Sequence, residues 1–159
     1  MRVVHQPSLE TELSTPDLEA FEEALDQARR GFAEGGVPVG ATLAIEGVVI
    51  SAGHNERIQR GDPIAHGEMA CIRSAGRRRD YAKMTLFTTL APCDMCTGAI
   101  LLFGIPRVVI GEATTFPGNI GYLREQGVDV SVLEDPRCID LMMQFQTLHP
   151  ELWREDIGE

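Results

Sequence analysis

The sequence predicts a three-layer α/β/α domain around a mixed five-stranded sheet. Three observations carry that expectation: an amphipathic helix, a β-hairpin after it, and then strand and helix in alternation, the pattern of a sheet covered on both faces. Residues 1–14 are polar and aperiodic and read as an N-terminal extension, which leaves 15–159 as a single domain. Thr15-Pro16 supply an N-cap and a proline at the first helical position. Leu18, Phe21, Leu25, Ala28 and Phe32 then recur with the spacing of one helical face, and Gly35-Gly36 close the run. From Val37 the period changes. VPVGATLAI and GVVISAG are short β-branched runs joined at Glu46-Gly47, which reads as a hairpin. A second helix is expected from about His66 to Arg77, a buried strand over TLFTTL (85–90), and a helix from Cys93 to Phe103 closed by Gly104. RVVIGE is the next strand, the glycine-rich stretch TTFPGNIGYLREQG a loop, and VDVSVL the fifth strand. Asp135-Pro136 start a helix whose face is Cys138, Leu141, Met142 and Phe145, and PELWREDIGE ends the chain.

Charge narrows the function classes. The 159 residues carry 14 basic and 24 acidic side chains, a net charge of −10. Such a chain repels phosphate backbones and anionic lipid at long range, so nucleic acid is a disfavoured partner. The excess sits at the ends: residues 1–20 and 150–159 each hold one basic and four acidic side chains. No apolar stretch approaches the roughly 18 residues that span a bilayer, and the first twenty residues lack a signal-peptide core, so a cytoplasmic protein without membrane contact is expected. A chain of this length buries roughly 70% of its unfolded surface and needs no disulfide. Of the four cysteines, Cys93 and Cys96 form a C-x-x-C, which points to metal or redox chemistry.

The chemistry is concentrated in His66-Gly67-Glu68 and Pro92-Cys93-Asp94-Met95-Cys96. One imidazole and two thiolates suit Zn²⁺, and three protein ligands leave the fourth tetrahedral position to water, the mark of a catalytic site. Both groups fall at predicted helix N-termini, where exposed N–H groups favour thiolate over thiol. Glu68, two residues from His66, does not share its helix face and is expected beside the open position as a proton carrier. This H-x-E…P-C-x-x-C pattern is the signature of zinc base deaminases. Either half alone is weak, since P-C-x-x-C also occurs in redox pairs and structural zinc sites; both in this order are specific. Cys71 and Cys138 lie on helical stretches and read as inert core cysteines. Arg77-Arg78-Arg79, at a predicted helix C-terminus, reads as a solvated cap.

TTLAPCDMCTGAILLFGIPRVVIGE, HGE, EGGVPVG and the terminal WREDIGE together resemble the fungal-type cytosine deaminases over about residues 18–159. The resemblance implies a cytidine-deaminase-like fold, a homodimer, one zinc per chain, and hydrolysis of the free base cytosine, and of 5-fluorocytosine, to the uracil and ammonia in pyrimidine salvage. It makes His66, Cys93 and Cys96 the ligands and Glu68 the proton shuttle. It further implies that Asn55 reads the ring carbonyl and adjacent ring N–H, and that Phe116 and Trp153 wall the pocket. Asp156 would accept from the exocyclic amine under a C-terminal lid helix, with Gly67 and Val39 also lining the pocket. Val39 stands where the family carries isoleucine, and residues 113–118 differ around Phe116.

Three rivals stay open. The same chemistry could act on creatinine, isocytosine or guanine, since the two motifs select the reaction and not the ring. A tRNA adenosine deaminase shares the motif but needs a basic groove, against which the charge counts. A catalytically silent zinc protein would need His54, Cys71 or Cys138 to close the fourth position.

Overall fold

The first helix, α1 (Thr15–Ala33), is capped one residue before the expected Thr15: Ser14 is the N-cap, its Oγ accepting from the Asp17 N–H at 3.2 Å, with Pro16 in the first turn. The computed structural model describes residues 13–159, so most of the expected extension, and His5 with it, lies outside the described residues. The buried face of α1 is Ala20, Phe21, Ala24, Leu25, Ala28 and Gly31. Leu18, expected on that face, is instead exposed. Small residues replace it because the helix lies close against the sheet.

Strands β1 (Gly40–Ile45) and β2 (Val48–His54) form the hairpin. Its turn residues Glu46 and Gly47 both take positive φ, at 50° and 77°, the conformation whose twist matches paired strands. A register shift between Leu43 and Ala44 bends the pair. β1 also pairs antiparallel with β3 (Thr85–Thr88), and β3, β4 (Arg107–Ile110) and β5 (Asp129–Val132) run parallel, in the order β2-β1-β3-β4-β5. The expected mixed five-stranded sheet is thus observed. Val37-Pro38-Val39 lie outside β1, which is shorter than the apolar run that suggested it.

Strand alternation divides the core. Ala41, Leu43, Leu86, Val108, Ile110 and Val130 face one side, packed with Cys71 and Ile72 of α3 (Gly67–Ala75) and Ile100 of α4 (Asp94–Phe103). Ala44, Phe87 and Val109 face the other, against α1 and Cys138 of α6 (Pro136–Leu148). Sheets with both faces covered bury nearly every inward side chain, and the strands read accordingly as almost continuous apolar runs. Two short helices were absent from the sequence reading: α2 (Arg57–Arg60) and α5 (Ile120–Glu125), the latter inside the expected glycine-rich loop. At four and six residues they are too short to show a helical period. The tail folds as α7 (Pro150–Asp156). The three arginines lie just beyond α3, exposed, with Arg78 paired to Asp80 at 2.8 Å, as the solvated reading expects. No helix among the described residues is long and apolar enough to cross a membrane.

Gly40 sets the spacing between α1 and the sheet. A Cβ there would stand 2.1 Å from the Ala24 carbonyl oxygen and 2.5 Å from the Ala28 nitrogen, both rigid helix backbone. We expect Gly40→Ala to destabilise the protein by about 1–3 kcal/mol in urea unfolding, because the helix must move off the strand. A midpoint equal to that of the parent protein would show that α1 is not seated on this residue.

Candidate active site

His66 is the N-cap of α3 and Cys93 the N-cap of α4, with Cys96 in the first turn behind it. Both helices start at the C-terminal edge of the sheet, where parallel strands deliver the chain, so two distant motifs meet at adjacent helix N-termini. The Nδ1 of His66 lies 3.4 Å from Cys93 Sγ and 3.8 Å from Cys96 Sγ, and the three donor atoms fall within 4.8 Å of one another. Donors sharing a tetrahedral Zn²⁺ at about 2.0–2.3 Å stand roughly 3.5 Å apart, so this donor set fits the ion. Among the described residues it is the one cluster of His, Cys, Asp and Glu able to hold a metal.

The cluster's protons show what a metal would replace. The Cys96 hydrogen bond, assisted by His66, brings the Cys93 thiol down to about 4 against the cost of burial. Cys96 is pushed far up, by the same hydrogen bond and by burial, so one proton stays on that sulfur. Burial opposes a charged His66, but the bond to Cys93 and the carboxylates of Asp156 and Glu68 raise it to about 9. The metal-free cluster thus favours a thiolate on Cys93 while holding protons on its other members, and metal uptake must expel such protons.

Glu68, on the first turn of α3, is buried outside the donor cluster. Burial raises its carboxyl to about 7, although the His66 charge opposes the shift. A carboxyl poised near neutrality can both take and return a proton. Asn55 follows β2 and is buried; its Oδ1 accepts from the Arg57 N–H at 3.0 Å while its Nδ2 donates to Asp156 Oδ1 at 2.8 Å. These two partners orient the amide and leave one N–H and one lone pair free. Asp156 comes from α7, and its Oδ2 is also 3.5 Å from His66 Nε2. Burial raises its pKa, opposed by His66 and by the Asn55 bond.

These residues enclose one pocket. Val39, Asn55, His66, Gly67, Glu68, Phe116, Trp153 and Asp156 all line this small cavity. Phe116 and Trp153 meet edge to face, centroids 5.8 Å apart and planes at 84°. Gly67 is required where it stands: a Cβ would lie 2.8 Å from the Val39 carbonyl oxygen. Leu90, Ala91, Cys93 and Ile157 complete the lining, and of these Leu90 and Ile157 have no role in the sequence reading. Ile157 had a signal, being four residues after Trp153; Leu90, in an ordinary apolar run, had none.

The three side chains that could have closed the metal site do not. His54 is buried at the end of β2 with Nδ1 2.8 Å from Gln27 Oε1 and Nε2 2.7 Å from Glu34 Oε1, so both ring nitrogens are engaged by α1 and its C-cap. Cys71 bonds Ser51, and Cys138 packs on the opposite face of the sheet. Burial raises both thiols to about 12, leaving them inert.

The family model of the cytidine and deoxycytidylate deaminase zinc-binding region matches residues 14–112. The chain belongs to this deaminase family. A cytosine deaminase of Candida albicans is 49% identical over 146 residues, covering 90% of this chain and 97% of that protein. A tRNA-specific adenosine deaminase of Aquifex aeolicus is 43% identical over 100 residues, 61% of this chain and 66% of its own. A solved guanine deaminase from Nitrosomonas europaea superposes with a TM-score of 0.68 at 23% identity, covering 84% of this chain and 85% of that one, a likeness of fold. The deaminase is thus a zinc-dependent hydrolase in which His66, Cys93 and Cys96 are positioned to hold the metal.

The raised Glu68 pKa has a sign that can be measured. Between the ordinary value of 4.5 and about 7 the unfolded chain loses this proton before the folded one, so metal-free stability falls as pH rises through that window. Metal-free Glu68→Gln, which cannot ionise, should match the metal-free parent at pH 4.5 and exceed it by up to about 3 kcal/mol at pH 8 in chelator-treated denaturation. Equal stability at both pH values would show that burial does not perturb the carboxyl.

Proposed function

We propose that the protein hydrolyses free cytosine, and 5-fluorocytosine, to the corresponding uracil and ammonia. The observation that carries this reading is that α7 and its C-cap place Trp153, Asp156 and Ile157 beside the metal-donor cluster, as walls of one small pocket with Asn55 and Glu68. The 97% coverage of the Candida protein, which extends the likeness through most of this chain, adds support.

In this reading His66, Cys93 and Cys96 hold the zinc, which supplies the Lewis acidity that makes water a nucleophile near neutral pH. Glu68 takes a proton from the attacking water and passes it to ring N3, which makes C4 electrophilic. It then carries the second proton to the departing amine, so cytosine and water become uracil and ammonia with one carboxylate cycling between its two states. The free N–H and lone pair of Asn55 match the ring carbonyl and its neighbouring N–H. The first-turn N–H of Gly67, unpaired within its helix, can add a donor at the carbonyl. Asp156 accepts from the exocyclic amine, and Val39, Phe116 and Trp153 exclude water around the ring. The reading extends to a lid role for α7, a homodimer, a cytoplasmic location within pyrimidine salvage, and no nucleic-acid or membrane partner, as the acidic surface favours.

The likeness to tRNA-specific adenosine deaminases favours a second reading. Against it stand the net charge of −10 and the tail helix, which occupies the space above the metal that a polynucleotide needs.

Ammonia release from cytosine, isocytosine, guanine, creatinine and adenosine in tRNA should give cytosine the highest kcat/KM by about tenfold or more. A higher value for any other substrate reassigns the ring. Glu68→Ala should retain one zinc per chain by metal analysis while kcat falls about 10²-fold or more. Retained turnover would remove Glu68 from the proton path.

A further inference from the structure

Glu112 is fully buried, and no cation faces it among the described ion pairs. It follows Gly111 just past β4, and its own carbonyl accepts from the Ala91 N–H of the pocket wall at 2.9 Å. Its carboxylate points into the turn that follows. The N–H groups of Thr114 and Thr115 donate to Oε2 at 2.8 and 2.9 Å, and the Thr115 hydroxyl donates to Oε1. A buried carboxylate is costly unless its lone pairs are filled, and here three donors from two consecutive residues fill them. The next residue is Phe116.

A second carboxylate holds the same turn from outside. Glu134 accepts from the Ala113 N–H at 3.2 Å and from the Thr114 hydroxyl. It does so from a backbone with φ of +47°, a conformation that costs a residue other than glycine, asparagine or aspartate about 1 kcal/mol or more. Beyond Phe116 the chain is pinned again. The Asn119 side chain donates to Asp94 Oδ1 at 3.0 Å, and a Cβ on Gly118 would meet the Pro92 carbonyl oxygen at 2.6 Å. Phe116 therefore sits between an acidic clamp over 113–115 and an anchor on the Pro92–Asp94 segment that carries the metal-ligating Cys93.

We propose that Glu112, seconded by Glu134, is a positioning residue for ring specificity: the two carboxylates clamp the 113–115 turn and thereby set the Phe116 ring against Trp153 as the wall that measures the substrate. The choice of ring rests on the cytosine reading; the clamp does not. Glu112 touches neither metal nor substrate, and it acts through the backbone of its neighbours. A side chain without acceptor oxygens cannot replace it, because the Thr114 and Thr115 N–H groups would be left buried and unpaired; a glutamine could, its oxygen taking both N–H groups while its N–H₂ donates to a reversed Thr115 hydroxyl.

Trp153, the only tryptophan of the chain, is a built-in probe. In the zinc-loaded protein, Glu112→Met, which removes both acceptor oxygens at similar volume, should retain one zinc per chain and the parent's far-ultraviolet circular dichroism. Its Trp153 emission should shift to the red as Phe116 leaves the indole. The kcat/KM ratio of cytosine over 5-methylcytosine should fall about fivefold or more, carried mainly by KM. Glu134→Gly keeps the fold accessible, since glycine takes the φ of +47° without strain, and should move both readouts in the same direction by about twofold. Glu112→Gln, which keeps acceptors for the turn, should lie nearer the parent than Glu112→Met. Emission and selectivity unchanged in folded Glu112→Met would overturn the proposal, and if that variant does not fold, unchanged emission in Glu134→Gly would do so. Because emission is read without substrate, a parent enzyme inactive on cytosine would overturn the functional reading and leave the clamp to be decided by fluorescence.

Discussion

The convergence of three donor atoms at two helix N-termini is the constraint around which the remaining architecture is arranged. His66 and Cys93 are separated by 27 residues yet stand 3.4 Å apart, because α3 and α4 pack on one face of the sheet and begin at the same edge. Helix N-termini offer unpaired N–H groups and a positive dipole end, which favour the thiolate form of Cys93. The same placement that collects ligands also carries Glu68 into the interior, where it is buried and its affinity for protons rises. Metal affinity and proton handling follow from one packing arrangement.

Around that centre the enclosing walls come from distant parts of the chain. Val39 precedes β1, Asn55 follows β2, Phe116 follows β4, and Trp153 and Asp156 lie on the last helix. Asp156 is tied to Asn55 and near His66, so the tail is bound directly to the polar groups of the pocket. On the cytosine reading, a substrate amine entering here would meet a carboxylate already desolvated, and exchange of one hydrogen bond for another would keep the group satisfied. The wall opposite is held, among the described residues, without a cation, through backbone N–H groups that fill the Glu112 carboxylate.

Much of this was legible in the residues. The strand and helix order, the parallel and antiparallel sense of the sheet, and the inert roles of Cys71 and Cys138 follow from apolar period and helix caps. The face of α1 was misread at Leu18, since a period of apolar residues does not tell which side of a wide stripe lies closest to the sheet; the alanines at 20, 24 and 28 do that, by permitting close approach. α5 escaped because Gly118, Gly121 and Gly127 surround a six-residue helix with the composition of a loop. The ring pairing of Phe116 and Trp153 had no local signal, as the two lie 37 positions apart on segments without shared periodicity.

The sequence by itself determined the chemistry to look for: the two motifs in order mark His66, Cys93 and Cys96 as a zinc donor set, although either motif alone also fits redox or structural-zinc sites, and Glu68, two residues from His66, does not share its helix face. Tertiary structure decided which further carboxylates are removed from water. In a chain with 24 acidic side chains, nothing local distinguishes Glu112 from the solvated majority, and Asp156 is distinguished only by the family resemblance of the tail. Burial separates them, because a carboxylate removed from water must find partners. Those partners, Asn55 for one and the turn before Phe116 for the other, are fixed by contacts that no local pattern encodes.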